Sequence, residues 1–214
     1  SEVVESPHKV LPRAWLFLSV SGDNLQRASG GYDDSPDAHY SWDSRVQNHD
    51  EPSIGDYVVL WDKKEALGYS VIDAIEHGEG EKLILRCPAC GRTKFKIRTT
   101  VSPAYRCSRP SCFAEFSRPD TEWVSVATFR ATYEAAWAEF SDPVDAAGCR
   151  RLTLQPGSRH SIREVDVSKL LAIVGASVTQ LERRRKVVTG GFVNRTVRAR
   201  IGQKAFRDEL RAIY

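Results

Sequence analysis

The stretch Ile54-Gly55-Asp56-Tyr57-Val58-Val59-Leu60-Trp61, followed after a polar turn at 62–65 by Gly68-Tyr69-Ser70-Val71-Ile72-Asp73-Ala74-Ile75, decides how this chain folds. Residues 57–61 (YVVLW) form an apolar, β-branched and aromatic run of buried-strand length. A turn with Gly and Asp precedes it, and a second strand opens with Gly68. Upstream, residues 14–20 (AWLFLSV) make another such run. Between them, residues 21–50 are rich in Gly, Asp and Ser and keep no regular period, yet Tyr32, Tyr40 and Trp42 are embedded there. Short strands with a turn every ten or so residues predict an α+β chain built on a small curled β-sheet or barrel with flanking helices. Residues 123–127 read as a further strand. Phe129, Tyr133 and Trp137, four apart, predict a helix with one aromatic face, and 166–174 (DVSKLLAIV) a short amphipathic helix. Residues 180–191 (QLERRRKVVTGG) read as a charged linker.

A length of 214 residues suits one domain with an appendage, or two small ones. Hydrophobic content of 41% with a mean hydropathy of −0.40 describes a folded, water-soluble chain. No run approaches the roughly 18 apolar residues of a membrane span, and the N-terminus shows no basic start followed by an apolar core. A cytoplasmic location is expected, with no membrane partner. There is no methionine even at position 1, which reads as a fragment with its start replaced. The formal net charge of +3 hides an asymmetry: residues 1–80 sum to −9 and residues 81–214 to +12. The second part is expected to favour a polyanion.

Of five cysteines, four fall in 26 residues: Cys87-Pro-Ala-Cys90, then Cys107 and Cys112, a C-x2-C-x16-C-x4-C spacing, with Cys149 outside. Two short-looped knuckles of thiolates predict a zinc site, and four sulfurs close the coordination sphere, so the zinc is structural. Gly91 supplies the permissive backbone after the first knuckle. Between the knuckles, residues 93–99 (TKFKIRT) alternate Phe95 and Ile97 against Lys94, Lys96 and Arg98, the pattern of a zinc ribbon with a basic stripe. Residues 82–118 hold nine Lys and Arg and one acid, Glu115. Lys94, Lys96, Arg98, Arg106 and Arg109, joined by Arg183 and Arg184 from the charged segment, are the expected contacts to a nucleic-acid backbone.

The order of these features resembles the PUA-like superfamily and within it the EVE branch, which is similar to the YTH, ASCH and SRA readers of modified bases. The residues that carry the likeness are Trp15 in the opening strand, Tyr40-Ser41-Trp42 and Asn48 in the loop, Gly55-Asp56 before 57–61, and Gly68-Tyr69-Ser70-Val71-Ile72. It covers about 12–80, extending to about 140 with the ribbon (82–118) as an insertion foreign to the usual EVE pattern. The implied domain is 1–140, with a helical extension over 141–180. The resemblance implies that a single nucleotide is swung out and its base gripped between rings, at a flipping cost of a few kcal/mol against ~1–3 kcal/mol returned by stacking. Trp42 and Tyr40, with Trp61 or Tyr32, are the candidate walls, and Asp43, Ser44 and Asn48 the candidate readers of the base edge.

The final segment, 181–214, is read as linker followed by the run Val197-Arg198-Ala199-Arg200-Ile201-Gly202-Gln203-Lys204-Ala205-Phe206-Arg207-Asp208-Glu209-Leu210-Arg211-Ala212-Ile213-Tyr214. That run resembles the lead-in to the HNH nuclease domain of bacterial restriction endonucleases (R-x-G-Q-x-x-F-R-x-x-L-x-x-x-Y). The histidines His8, His39, His49, His77 and His160 are scattered and show no metal-nuclease spacing. The expected function is therefore that of the reader part of a modification-dependent HNH endonuclease, cut before its catalytic centre. It would bind double-stranded DNA carrying a modified base, with C5-modified cytosine the first guess and methyladenine or a phosphorothioate backbone the alternatives. An RNA-binding zinc module, a hydrolase using His39, Asp43 or His49 with a metal, and a protein-interaction module are the competing classes. Nothing in the sequence marks a dimer seam.

Overall fold

Alternation and apolar runs translate into ten strands in a computed structural model, which describes residues 12–19 and 32–190. They are β1 (Ala14–Leu18), β2 (His39–Asp43), β3 (Tyr57–Trp61), β4 (Ala66–Val71), β5 (Ala74–Arg86), β6 (Phe95–Ile97), β7 (Tyr105–Cys107), β8 (Glu115–Phe116), β9 (Asp120–Thr132) and β10 (Ile162–Val165). The helices are α1 (Ala146–Leu152), α2 (Val167–Val174) and α3 (178–190). The chain is thus mixed α+β and mostly sheet. It forms two units, one from residues up to His77 and from Phe129 onward, the other Gly78–Thr128. The strands lie in three sheets, ordered β10-β1-β3-β4, β2-β9-β5 and β6-β7-β8, and among the described residues no sheet closes into a barrel.

In the first unit β1 and β3 pair in parallel, Ala14 opposite Tyr57 through Leu18 opposite Trp61, with β10 antiparallel on one side and β4 on the other. Both central strands are apolar at nearly every position because both faces of the sheet are covered. One face presents Ala14, Leu16, Tyr57, Val59 and Trp61 to Cys149 and Leu152 of α1, Leu170 and Val174 of α2, and Leu181 of α3. The other presents Trp15, Phe17, Val58 and Leu60 to Tyr40 and Trp42 of β2 and to Ala131 and Tyr133. The Gly55-Asp56 turn fixes the register of the central pair. Asp56 accepts the Trp15 indole N–H at 2.9 Å, the Ser53 backbone N–H at 2.9 Å and the Arg13 backbone N–H at 3.2 Å. Gly55 sits at φ +90°, and a Cβ there would stand 2.6 Å from the Thr189 methyl on α3. Gly68 leaves room for Trp137 to lie on β4, and its Cβ would meet the Ala138 carbonyl at 2.8 Å.

Three expectations are corrected. Residues 129–133 are not helical: β9 runs to Thr132, and a single 3-10 turn follows at Glu134–Ala136. A spacing of four is also a multiple of two, so Phe129 and Tyr133 satisfy a strand face as well as a helix face, with Ala131 between them. Residues 180–191 are not a linker over their described length. They lie in α3, which buries Leu181 and Val188 and is tied down by a Tyr57 hydroxyl–Glu182 bond and by Arg184 on Asp73. Residues 141–180 are not only helical, since β10 within them completes the first sheet. The helix expected over 166–174 is present as α2, with Asp166 capping the backbone N–H groups of Ser168 and Lys169.

Replacing the buried Asp56 leaves the Trp15 N–H without an acceptor, so Asp56→Ala is expected to lower the unfolding free energy by about 3 kcal/mol, measured by urea denaturation. A variant within 1 kcal/mol of the parent contradicts the role given to this carboxylate.

Candidate functional site

The second unit has little to pack. Its sheet β6-β7-β8 is held by Phe95, Tyr105 and Phe116, whose ring centroids lie 5.4–5.6 Å apart. Beyond that sheet the unit has the paired stretches of β5 and β9 and a cluster of sulfur. The Sγ atoms of Cys87, Cys90, Cys107 and Cys112 all lie within 4.8 Å of one another, with Cys87–Cys112 at 3.9 Å and Cys90–Cys107 at 3.6 Å. All five cysteines are unbridged. A tetrahedral metal with metal–sulfur bonds of about 2.3 Å sets its sulfurs about 3.8 Å apart, so these four can hold a metal ion.

Each knuckle shapes its own backbone. In the first, the Gly91 N–H reaches the Cys87 carbonyl and the Cys87 N–H the Arg92 carbonyl, both at 2.8 Å, with Gly91 at φ +69°. In the second, the N–H groups of Cys112 and Phe113 both reach the Arg109 carbonyl (3.0 and 3.1 Å), and Phe113 takes φ +46°. The Arg92 backbone N–H, directed at the Cys90 sulfur, pulls that thiol down to about 7, with smaller help from the neighbouring sulfurs. The Arg109 N–H likewise lies 3.5 Å from the Cys107 sulfur, but burial and the other sulfurs outweigh it and push Cys107 up to about 11. A cation held by these four sulfurs takes them as thiolates, so its binding releases protons.

Eight of the nine cations of 82–118, all but Lys82, divide into two groups. Arg86 pairs with Glu122 at 2.6 Å; Arg98 pairs with Glu115 at 2.7 Å and donates to the Pro103 carbonyl at 2.5 Å. Arg106 lies 4.0 Å from Glu115 and covers the Phe113 ring at 5.2 Å. Arg98 holds the Glu115 carboxyl below its usual range. Arg92, Lys94, Lys96, Arg109 and Arg118 are exposed and have no ion-pair partner among the described residues. Of the expected backbone contacts, then, Lys94, Lys96 and Arg109 stand free, while Arg98 and Arg106 brace the ribbon. Arg184 is paired with Asp73, and Arg183 is exposed on α3.

The aromatic candidates separate by sheet face. Tyr40 and Trp42 are together on β2, 6% and 2% exposed, in the same cluster as Phe17. Trp42 stacks on Phe129 (5.5 Å, 9° between planes) and gives its indole N–H to the His49 carbonyl at 2.8 Å. Trp61 is on the opposite face, 1% exposed beneath the Arg163 guanidinium at 5.0 Å, and is no neighbour of Trp42. Trp42 is thus a strand residue with its ring packed. The two-residue period of β2 was hidden by the polar residues around it.

Tyr32 is half-buried; burial and the charges of Asp43 and Asp34 push its phenol up, and the same three causes act on Tyr40. Asp43 is buried and accepts the Arg45 N–H at 2.9 Å, and Ser44 beside it is half-exposed. Asn48, at φ 64°, spends its amide on the Ile162 carbonyl at 3.0 Å. Two residues of this cluster were not anticipated. Asp34 accepts the Ser41 N–H at 2.8 Å and is pushed up by burial, and half-buried Phe129 covers Trp42 with His49 and His77 at its edge. A reading of 129–133 as strand would have brought Phe129 forward. The HNH-like run at 197–214 lies outside the described residues.

Because the sulfurs and three rings are most of what holds the ribbon, Cys87→Ser or Cys107→Ser is expected to abolish stoichiometric metal binding. Each should also open 78–128 to limited proteolysis, as elemental analysis and peptide mapping would report. A variant that keeps one metal per chain contradicts the four-sulfur site. Neither protein-family models, curated proteins nor solved structures give a match to this chain.

Proposed function

We propose that this chain reads a modified base in double-stranded DNA: a structural zinc ribbon holds the backbone and a PUA-like domain takes the base. C5-modified cytosine is the first candidate, and the chain is the reader part of an HNH restriction endonuclease. The observation that carries the reading is the set of five unpaired cations on the ribbon. A solvated face made for solubility mixes its signs, whereas between Lys82 and Arg118 the one acid, Glu115, is engaged by Arg98 and Arg106, and the five unpaired cations lie outside. Zinc suits four thiolates in a tetrahedron, and with no open position it would do no chemistry of its own.

The PUA-like assignment is supported by the Gly55-Asp56 turn, which ties Trp15 of β1 to the start of β3. The base-reading step draws on the aromatic layer beneath β2. Phe129 and Trp42 lie flat on each other. A flipped base would have to part them, and Asp34 and Asp43, whose charges act on Tyr32 and Tyr40, would read its amino edge. Such a slot is closed until a base fills it, so affinity for plain DNA would rest on the ribbon alone.

Fluorescence anisotropy on matched duplexes tests this. Plain, methyl- and hydroxymethyl-cytosine, methyladenine and phosphorothioate DNA, with an RNA duplex alongside, are the probes. One modified DNA is expected to bind at least tenfold more tightly than plain DNA. Phe129→Ala should erase that preference and leave plain-duplex binding unchanged. Trp42→Ala is a poorer probe, because loss of a core tryptophan costs about 3–5 kcal/mol of stability. Equal, salt-sensitive binding to every duplex ends the base-reading proposal.

A further inference from the structure

The free cations of the ribbon are not spread evenly. A concavity of about 360 Å³ is lined by Arg92, Thr93, Lys94, Ser108 and Arg109: three cations and two hydroxyls, with no carboxylate. Its two walls belong to the two knuckles. Arg92 and Arg109 each lie two residues after a cluster cysteine, with their backbone N–H groups turned to the sulfurs of Cys90 and Cys107. The walls are joined by the Ser108 N–H on the Lys94 carbonyl at 3.1 Å. The backbone under all three cations is therefore fixed by the sulfur cluster or by the sheet, and only the side chains remain to be ordered.

We propose that Arg92, Lys94 and Arg109, with the hydroxyls of Thr93 and Ser108, form a cradle for a single backbone phosphate of the bound nucleic acid. This rests on the reading of the chain as a DNA binder. It assigns the electrostatic contact to one place on the ribbon and excludes Arg98 and Arg106 from it. The chemistry of the lining selects the ligand. Three like charges around one hollow repel one another unless an anion lies between them, and hydroxyl donors beside guanidinium forks suit phosphate oxygens. The hollow is also of ligand size, large enough for a phosphate with its sugar. Neither Lys96 nor Arg118 lines it.

The salt dependence of binding counts neutralised phosphates, with a log–log slope of about 0.9 for each. The full chain and its Arg92→Ala/Lys94→Ala/Arg109→Ala variant would be titrated with plain duplex DNA from 50 to 200 mM salt, after confirming equal metal content. One shared phosphate predicts a slope shallower by about 0.9 and affinity at least tenfold weaker. A slope shallower by about 2.7 means three separate phosphates, and an unchanged slope means none; either overturns the cradle while leaving DNA binding intact. Inorganic phosphate at constant ionic strength is expected to leave the complex undisturbed. Displacement by it would reassign the cradle to free phosphate. If the parent chain binds no DNA, the function proposed above fails. The cradle is then judged by NMR: shifts of the Arg92–Lys94 and Ser108–Arg109 amides on adding phosphate uphold it as an anion site, and their absence removes it.

Discussion

The parallel pairing of β1 with β3 is the constraint on which the first unit depends. Two adjacent strands apolar on both faces cannot be left at a surface, so the chain must supply two covers. It does so with unlike materials: three helices on one side and the aromatic strand β2 with the end of β9 on the other. A parallel pair also needs a long connection, and residues 19–56 provide it, carrying β2 on the way. The single carboxylate of Asp56 closes that connection by holding Trp15, Ser53 and Arg13 together at the point where β3 begins. A local turn thereby sets a non-local register.

The second unit obeys a different economy. Three rings, three short strands and the paired ends of β5 and β9 bury little apolar surface for some fifty residues, and small units of this kind are usually stapled by a metal or by disulfides. With the sulfurs 3.6–3.9 Å apart in the two closest pairs and no disulfide formed, a coordinated cation is the staple this geometry allows. The same backbone that encircles the sulfurs presents Arg92 and Arg109, so the knuckles that gather the cysteines also carry part of the ribbon's exposed positive charge.

Much of this was legible in the sequence for identifiable reasons. The cysteine spacing is a local signal with few interpretations, and the apolar runs at 14–18 and 57–61 have one period and one length. The failures are as specific. Phe129 and Tyr133 four apart fit two periods, and the strand prevailed because Phe129, Ala131 and Tyr133 together cover β2 and the central sheet. Charges in 180–191 suggested solvent, but Glu182 and Arg184 are spent on Tyr57 and Asp73, partners more than a hundred residues away that no local window contains. For the same reason Arg98 reads as one more cation of the stripe, although Glu115 claims it. Burial of Trp42 could not be read at all, since the ring covering it comes from a strand 87 residues further on.

The two knuckles, alike in outline, differ in one residue. The residue after the second cysteine is left-handed in both, but it is Gly91 in one and Phe113 in the other. Glycine visits that region freely, whereas for a bulky L-residue it costs on the order of 1–2 kcal/mol. The first knuckle therefore takes its shape at no such cost, while the second is held in shape by what surrounds it. Closing four sulfurs on one ion would thus draw its backbone cost from the loop that ends at Phe113 and not from CPACG.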